Sequence, residues 1–398
     1  MFGFLGRLFK TSDSSISSDN SFMGSPVEGT LATASSALTL SAFYNAVDQI
    51  SNDIAKLPKS VFKKDEDSRE RYAGHPLNYL ISTEPSGLMT AFDFWKAVVL
   101  QVILKGNCYV RVYRNSLGIE EKLIIQEVYN VGVRCVDDEL FYVIKGEVFL
   151  SSDILHFKAF SVDGIMGIPV IKWAAYNLGV NLDAQKYAST IYNDRGIGYG
   201  VIESDKAIHV DNKKSISEGF TKKMAEKNKF KVPVLDDGLK YKSISVTPEE
   251  AQFLETNKYS VTEIARWLNI APHKLKDLTN ANYSNIQAQS IEHVQDSLLP
   301  WTTRIEQELN RKMFARESSE SLYVKFNEKV LLRGDLEARQ KFYSAMVYAG
   351  IMTRNEVRAL EDLNPLEGLD EPLTPVNMEL LSFMIDKNKK ELNNEQGS

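Results

Sequence analysis

Apolar residues along this chain follow two periods, and the points where one gives way to the other mark its parts. Ala42, Ala46, Val47, Ile50, Ile54 and Ala55 recur every three or four residues, and Pro58 stops the run. That spacing places them on one helix face. Val61-Phe62-Lys63 reads as a strand leading into a charged turn from Lys64 to Arg71. A second helical pattern runs from about Thr90 to Leu104 and ends at Gly106, the residue type that best tolerates the left-handed turn closing a helix. From Asn107 to Phe160 strands dominate. Cys108 to Tyr113 is one, Asn115-Ser116-Leu117-Gly118 makes a turn, and Phe141–Ile144 and Glu147–Leu150 flank Lys145-Gly146 as a hairpin. Mixed helices and strands sharing one core predict an α+β domain over roughly the first 165 residues.

The middle of the chain is helical again. Ile171, Trp173, Ala174, Leu178, Leu182, Tyr187, Ala188 and Ile191 predict one long helix from Ile168 to about Asn193, roughly 40 Å at 1.5 Å per residue. Gly196-Ile197-Gly198-Tyr199-Gly200 breaks it. Val201 to Ser245 then reads as a strand, a lysine-rich helix (about Asn212 to Lys227) and two short strands around Asp236-Asp237-Gly238. Thr247-Pro248-Glu249-Glu250 is a capping box with Pro at the first helical position, and it starts another helix. That helix ends before Pro272, and a polar loop runs to Tyr283. Ser284-Asn285-Ile286-Gln287 opens a long helix holding Pro300, where a kink is expected. Tyr323–Phe326 reads as a strand. Helices follow from Asp335 to Ala349 and from Arg354 to Leu363, the second capped by Thr353 and Glu356, with a short one near Val376 to Ile385. Residues 11–38 are rich in Ser, Thr, Gly and Ala. They bury too little to offset ordering entropy, so the segment 1–39 is expected to be mobile.

Composition narrows the function. The 398 residues are 43% apolar and 25% charged, ordinary globular values that exclude wholesale disorder and collagen. Forty-seven basic against 53 acidic residues give a net charge of −6, so the chain does not coat nucleic acid by charge alone. Cys108 and Cys135 supply neither a disulfide scaffold nor a zinc site, and they suggest a reducing compartment. No run reaches the ~18 apolar residues needed to span a bilayer. The start, Met1 to Lys10, carries its charge inside and after the apolar stretch, which argues against a signal peptide. Phe2, Phe4, Leu5, Leu8 and Phe9 leave a peripheral membrane contact as an alternative to an ordinary terminus.

No catalytic or cofactor motif stands out. There is no phosphate-binding Walker loop, and the glycines at 196–200 follow a helix where a dinucleotide loop needs a strand. None of His75, His156, His209, His273 and His293 has a histidine four residues on, as zinc helices do. His156, in Ile154-Leu155-His156-Phe157, reads as a packed strand residue. Asp53, Glu120, Glu121, Asp137, Asp138, Asp236 and Asp237 show no spacing that separates them from turn and surface acids. Residues 201–245 hold ten lysines against seven acids, either a docking face for an acidic partner or a solvated helix. The loop around Lys274 and Lys276, with its amides, could touch phosphates transiently or simply be surface. Thr353 to Leu363 imitates a DNA-reading helix, but Glu356, Glu361 and Asp362 offset Arg354 and Arg358.

The order of these parts resembles the portal (head-to-tail connector) proteins of tailed bacteriophages, of the long-tailed siphophage type. Gly74-His75-Pro76-Leu77 with Pro85 resembles the family's early segment, and Gly106-Asn107-Cys108-Tyr109 its Gly-Asn-Ala-Tyr strand start. Asp153-Ile154-Leu155-His156 is similar to its acidic–Ile–Leu–His strand. Glu263-Ile264-Ala265-Arg266 with Ile270-Ala271-Pro272, then Leu299-Pro300, then Gly350 to Arg358, follow in the family's order. The resemblance covers roughly residues 40–370.

The resemblance implies an α+β portal fold: a mixed α/β wing (40–166), a stem helix (167–197), a small α/β clip (198–246) and a second stem helix (247–269). A tunnel loop (270–284), a kinked channel helix with a wing strand (285–333), a helical crown (334–386) and a disordered tail (387–398) complete it. It implies a ring, normally of twelve copies, at one capsid vertex, passing double-stranded DNA during packaging and ejection. Lys274, Leu275, Lys276, Leu278, Asn280 and Asn282 would line the tunnel. Clip residues Lys213, Lys214, Lys222, Lys223, Lys227, Lys229 and Lys231 would dock the terminase large subunit and later the head–tail adaptor. The major capsid protein or a scaffold is a further partner. No cofactor, metal, catalytic residue or membrane contact is implied, and the location would be the virion, with host cytoplasm during assembly. A soluble enzyme of unknown chemistry and a membrane-peripheral scaffold are the alternatives.

Overall fold

The structure is a computed structural model that describes residues 31–64, 69–193, 200–204, 214–216, 218, 239–243, 260–276, 289–314, 321–332, 336–361 and 363–373. The chain divides into two compact units, Met1–Phe326 and Asn327–Ser398.

The first unit is ordered earlier than its composition predicts. Thr33 and Ser36 form a capping box on a short helix, α1 (Ala34–Ala37). The Ala32 N–H donates to the Ala175 carbonyl, and Ala37 and Leu40 are buried. Residues 31–39, expected to belong to a mobile segment, are therefore packed here; residues 1–30 lie outside the described residues. Small residues that look like linker in sequence are here the ones thin enough to lie against a helix.

Helix α2 (Ser41–Ala55) buries Phe43, Ala46, Val47, Ile50 and Ile54, the predicted face. Strand β1 (Lys59–Lys64) lies between β2 (Arg69–Arg71) and a distant strand, Leu322–Phe326, both antiparallel to it. The expected charged turn from Lys64 is thus partly a strand. Arg69-Glu70-Arg71 is exposed throughout, so no apolar alternation announces it. The sequence reading also missed helix α3 (Pro76–Ser82), whose cap is His75 Nδ1 accepting from the Leu77 N–H, with Pro at the first position. Helix α4 (Ala91–Lys105) matches its prediction, from the Thr90 cap to Gly106 at φ +81°. Trp95, fully buried, ties the elements together. Its Nε1–H donates to the Ile81 carbonyl at 2.9 Å, and its ring meets Phe94, Phe157 and Phe326 edge-on.

Two further three-stranded antiparallel sheets belong to the first unit. One is ordered β4 (Glu120–Gln126), β3 (Asn107–Arg114), β8 (Ile154–Lys158); the other is β5 (Val131–Val136), β6 (Glu139–Ile144), β7 (Glu147–Leu150). Lys145 and Gly146, both at positive φ, make the predicted hairpin turn. Tyr109, Val133, Tyr142, Ile144 and Ile154 fill the space between these sheets.

Helix α5 (Val170–Asn193) spans 24 residues, about 36 Å. Ile171, Ala174, Leu178 and Leu182 are buried, whereas Tyr176 and Val180 are 44% and 47% exposed. Strands β9 (Gly200–Ser204) and β10 (Leu239–Ser243) pair antiparallel. Residues 214–216 and 218 are helical, and so are 260–268. The Asp236 turn, the capping boxes at Thr247 and Ser284, and most of the lysine-rich helix lie outside the described residues.

Around Pro300, where a kink was expected, the helix changes its winding. Residues His293–Leu298 form a π-helical turn directly before helix α6 (Leu299–Met313), which carries Pro300 in its first turn. Proline cannot donate to the preceding turn, and a widened turn is one way a helix absorbs that loss. Strand β11 (Leu322–Phe326) then returns to β1. The second unit holds α7 (Leu336–Tyr348) and α8 (Arg354–Leu360), the latter with the predicted Thr353–Glu356 capping box. The short helix expected near Val376 to Ile385 lies outside the described residues.

Candidate functional site

Strands β8 and β11 are each the last strand of a sheet. An edge strand presents unpaired backbone groups, and here one helix closes both. Glu306 Oε1 accepts the Phe326 N–H and Asn310 Oδ1 accepts the Val324 N–H, each at 2.7 Å. On the other edge Glu308 Oε1 accepts the His156 N–H at 2.8 Å, and Lys312 Nζ donates to the Ile154 carbonyl at 2.6 Å. The spacing explains why this works. Four residues of helix rise about 6 Å, and two residues of strand about 6.7 Å, so side chains one turn apart meet alternate backbone groups. Glu308 and Lys312 also pair with each other at 2.7 Å, both almost buried. Burial pulls the Lys312 ammonium below its ordinary range, and the Glu308 charge offsets only part of that.

Beside this seam, Asn107 fixes the approach to α5. Its Oδ1 accepts the Gly167 N–H and its Nδ2–H donates to the Gly167 carbonyl, both at 2.8 Å. The amide is therefore oriented, and its oxygen can only accept from His156 Nε2 at 2.9 Å. His156 consequently carries its proton on Nε2, and Nδ1 accepts from the Tyr142 hydroxyl at 3.2 Å. Burial, followed by Lys158, Lys312 and Arg311, pushes its pKa well down, so the ring is neutral. His156 is the packed strand residue its sequence suggested. Gly167 is required here, because a Cβ would fall 2.1 Å from the Gly106 carbonyl oxygen.

The base of the expected tunnel loop is equally well anchored. Residues Pro272–Leu275 form a 3₁₀ turn against α2, and Lys276 closes it at φ +65°. Leu275 is 7% exposed and belongs to the core, which corrects its assignment to the channel lining. The apolar side chain is the turn's anchor, and the flanking lysines follow from its burial. Lys274 is half-buried and Lys276 exposed. Leu278, Asn280 and Asn282 lie outside the described residues. So do lysines 213, 222, 223, 227, 229 and 231 of the expected clip; Lys214 is described and exposed.

Beneath the same turn, His293 Nε2 meets Asp53 Oδ2 at 2.9 Å, with both side chains buried. Burial raises the Asp53 carboxyl, but hydrogen bonds from His293, Gln49 and Lys56 outweigh it and bring its pKa to about 2. Asp53 is thus a structural anchor between α2 and the π turn, not the turn or surface acid its spacing suggested. The sequence offered one usable signal for it: an acid on the helix face that also carries Ile50 and Ile54.

Among the described residues no group of three or more His, Cys, Asp or Glu is placed to hold a metal, and no helix is long and apolar enough to cross a membrane. An open cleft of about 470 Å³ is lined by Arg114, Glu120, Ser151, Ser152, Arg311 and Lys312, among others. Its cations are paired: Arg114 with Asp153, Arg311 and Lys312 with Glu308. The geometry serves to hold sheets, a long helix and a loop base in fixed relation.

Comparison with known proteins agrees with that structural role. The family described as phage portal protein matches residues 41–362. The probable portal protein of Streptomyces phage phiC31 is 30% identical over 370 residues, covering 88% of this chain and 80% of its own. A crystal structure of an HK97 family phage portal protein from Corynebacterium diphtheriae superposes with a TM-score of 0.59 at 17% identity, over 78% of this chain and 99% of that one. A chain from the neck of a native gene transfer agent particle, computed with C12 symmetry, has a TM-score of 0.52 at 19% identity, over 83% and 93% of the two chains. The continuous match from α2 to α8 settles the assignment, and this chain belongs to the phage portal protein family.

Proposed function

We propose that twelve copies of this chain close into a ring at one capsid vertex, and that double-stranded DNA passes along its axis during packaging and ejection. The observation that carries the reading is the family match, unbroken across residues 41–362. The twelve-fold neck of the related particle supports the ring number. Helix α5 supports the contact between copies, since its inner face is buried while Tyr176 and Val180 stay exposed on the other. A closed ring leaves no free contact face.

In this reading residues 40–166 and the strand near 322–326 form the wing, 167–197 and 247–269 the stem, and 334–386 the crown. The clip, 198–246, takes the terminase large subunit through its lysines and later the head–tail adaptor; a scaffold or the major capsid protein seats the rim. Within the loop 270–284, Lys274 and Lys276 face the DNA, while Leu275 anchors the turn in the core. The electrostatics suit passage. Each phosphate neutralised adds counterion-release affinity, so an acidic chain with a few lysines lets the duplex slide. The ring does no catalysis; ATP hydrolysis belongs to the terminase. Its place is the virion vertex, reached from the host cytoplasm.

Top-view particle averages and native mass test the ring. Twelve-fold symmetry around a central hole is expected, and a chain that stays monomeric or dimeric under assembly conditions overturns the reading. Replacing Lys274 and Lys276 with Ala should change DNA retention and leave the ring intact. Ring loss would instead make that turn structural only.

A further inference from the structure

Arg114, Arg266 and Arg311 of the first unit each face a carboxylate. Arg111, half-buried on β3, does not. Its guanidinium carbon lies 4.5 Å from the centre of the Tyr113 ring and 4.2 Å from that of Phe149. Among the described residues the guanidinium has no hydrogen-bond or ion-pair partner. Alternation along the strand puts Tyr109, Arg111 and Tyr113 on one face of β3. Tyr109 belongs to the apolar fill between the two sheets, and Phe149 pairs across β7 and β6 with Tyr142 of the same fill. The cation therefore stands at the mouth of a core, where an apolar side chain would pack without losing hydration. Both rings attract it through their faces. Its in-plane N–H groups stay available as a rigid fork, the shape that matches a planar group with two oxygens.

We infer that Arg111, held against Tyr113 and Phe149, binds a Glu or Asp carboxylate from an extended acidic segment of a partner protein, and that Lys122 takes a second acid of the same segment. Lys122 is the register partner of Tyr113, so it shares the Arg111 face of the sheet. It is exposed and has no ion pair among the described residues. Residues placed diagonally on neighbouring strands, as Arg111 and Lys122 are, lie about 7–8 Å apart. Alternate side chains of an extended segment recur on one side every ~6.7 Å, so two acids with one residue between them match the two cations. The Tyr113 and Phe149 rings then border the bound carboxylate with apolar surface, which shields a charge-assisted pair from water. A phosphate backbone suits the place less well. Duplex DNA is held by a row of cations, whereas here exposed Glu147 lies two residues from Phe149 on the same face of β7.

Fluorescence anisotropy with the full-length chain tests the inference, the probe being a dye-labelled peptide of alternating Glu and Leu. The peptide should bind, and its counterpart of alternating Gln and Leu should not. Arg111→Met should weaken binding at least about tenfold. Arg111→Lys keeps the charge but loses the fork, and should weaken it several-fold. Lys122→Ala should have a smaller effect, and Lys145→Ala, on the exposed β6–β7 turn, none. Failure of the acidic peptide to bind overturns the inference, as does equal binding of the Gln peptide. So does an Arg111→Lys chain that binds as the unmodified one does, or a loss at Lys145→Ala matching that at Arg111→Met, since either would reduce the effect to general charge. A short DNA duplex that displaces the peptide at equal charge concentration would assign the cations to phosphate and overturn it too. Melting curves check that each variant folds; if Arg111→Met does not, Arg111→Lys decides.

Discussion

The two units of this chain solve the same problem by opposite means. In Met1–Phe326, Phe43, Trp95, Tyr109 and Tyr142 are almost wholly buried, and each large apolar side chain so placed contributes about 1.5–3 kcal/mol. Its polar side chains then finish what burial leaves open, capping the edges of β8 and β11 from α6. In Asn327–Ser398 the order is reversed. Polar links such as Arg339–Glu361 and the Asn355 contacts to Leu366 and Asp370 join the described residues, while Phe342, Tyr348 and Ile351 are exposed. Such links are each worth about 0–1 kcal/mol when partly exposed. The difference teaches where the described order of each part comes from: the first unit draws on a buried interior, whereas the described residues of the second are joined mainly by polar links.

The strongest way to break this comparison is at the seam of the first unit. Glu308→Ala removes the acceptor for the His156 N–H and leaves Lys312, 4% exposed in its side chain, without its carboxylate. Uncovering a buried charge in this way costs about 3–5 kcal/mol. Urea unfolding followed by tryptophan fluorescence, which reads Trp95, Trp173, Trp267 and Trp301, all in the first unit, should show that loss. A cost below ~1 kcal/mol, the range of an exposed pair, would mean that α6 does not seal the sheet edge.

A second, smaller effect sharpens the comparison through pH. The Asp53 pKa is held at about 2 against an ordinary 3.8. Its stabilisation is therefore fully present above pH 3.8 and is lost as the pH falls toward 2. A shift of that size corresponds to about 2 kcal/mol. Asp53→Asn should lose roughly that amount at neutral pH, and its melting temperature should fall less between pH 4 and pH 2 than that of the unmodified chain. Parallel pH profiles for the two proteins would remove Asp53 as the anchor.

What could be read in the sequence follows the same division between local and distant causes. Thr90 with Gly106, Lys145-Gly146 and the Thr353–Glu356 box are signals confined to a few neighbouring residues, and each element they announce is present. Helix α3 escaped because a histidine nitrogen is an unusual cap, and β2 because its three residues are all exposed. The seam and the Asp53–His293 bond join positions 152 and 240 residues apart. No window of sequence contains both partners, so Asp53 passed for a surface acid. Leu275 was misplaced for a related reason: its neighbours are lysines and amides, and only the turn against α2 shows that it is the one anchored inward.

The smallest effect belongs to the second unit and bears most directly on the contrast. Arg339 Nη1 donates to both carboxylate oxygens of Glu361, at 3.1 and 2.9 Å, and the Tyr343 hydroxyl donates to Oε1 at 2.6 Å. Arg339 and Glu361 keep 29% and 32% of their side-chain surface, so water screens the pair, and Arg339→Ala should cost only about 0.5–1 kcal/mol. Hydrogen exchange at residues 336–361 should quicken by about fivefold, which is what 1 kcal/mol allows, while the first unit exchanges as before. If the substitution instead opened residues 336–361 completely, the polar links would be the main support of these residues and not a minor addition to them.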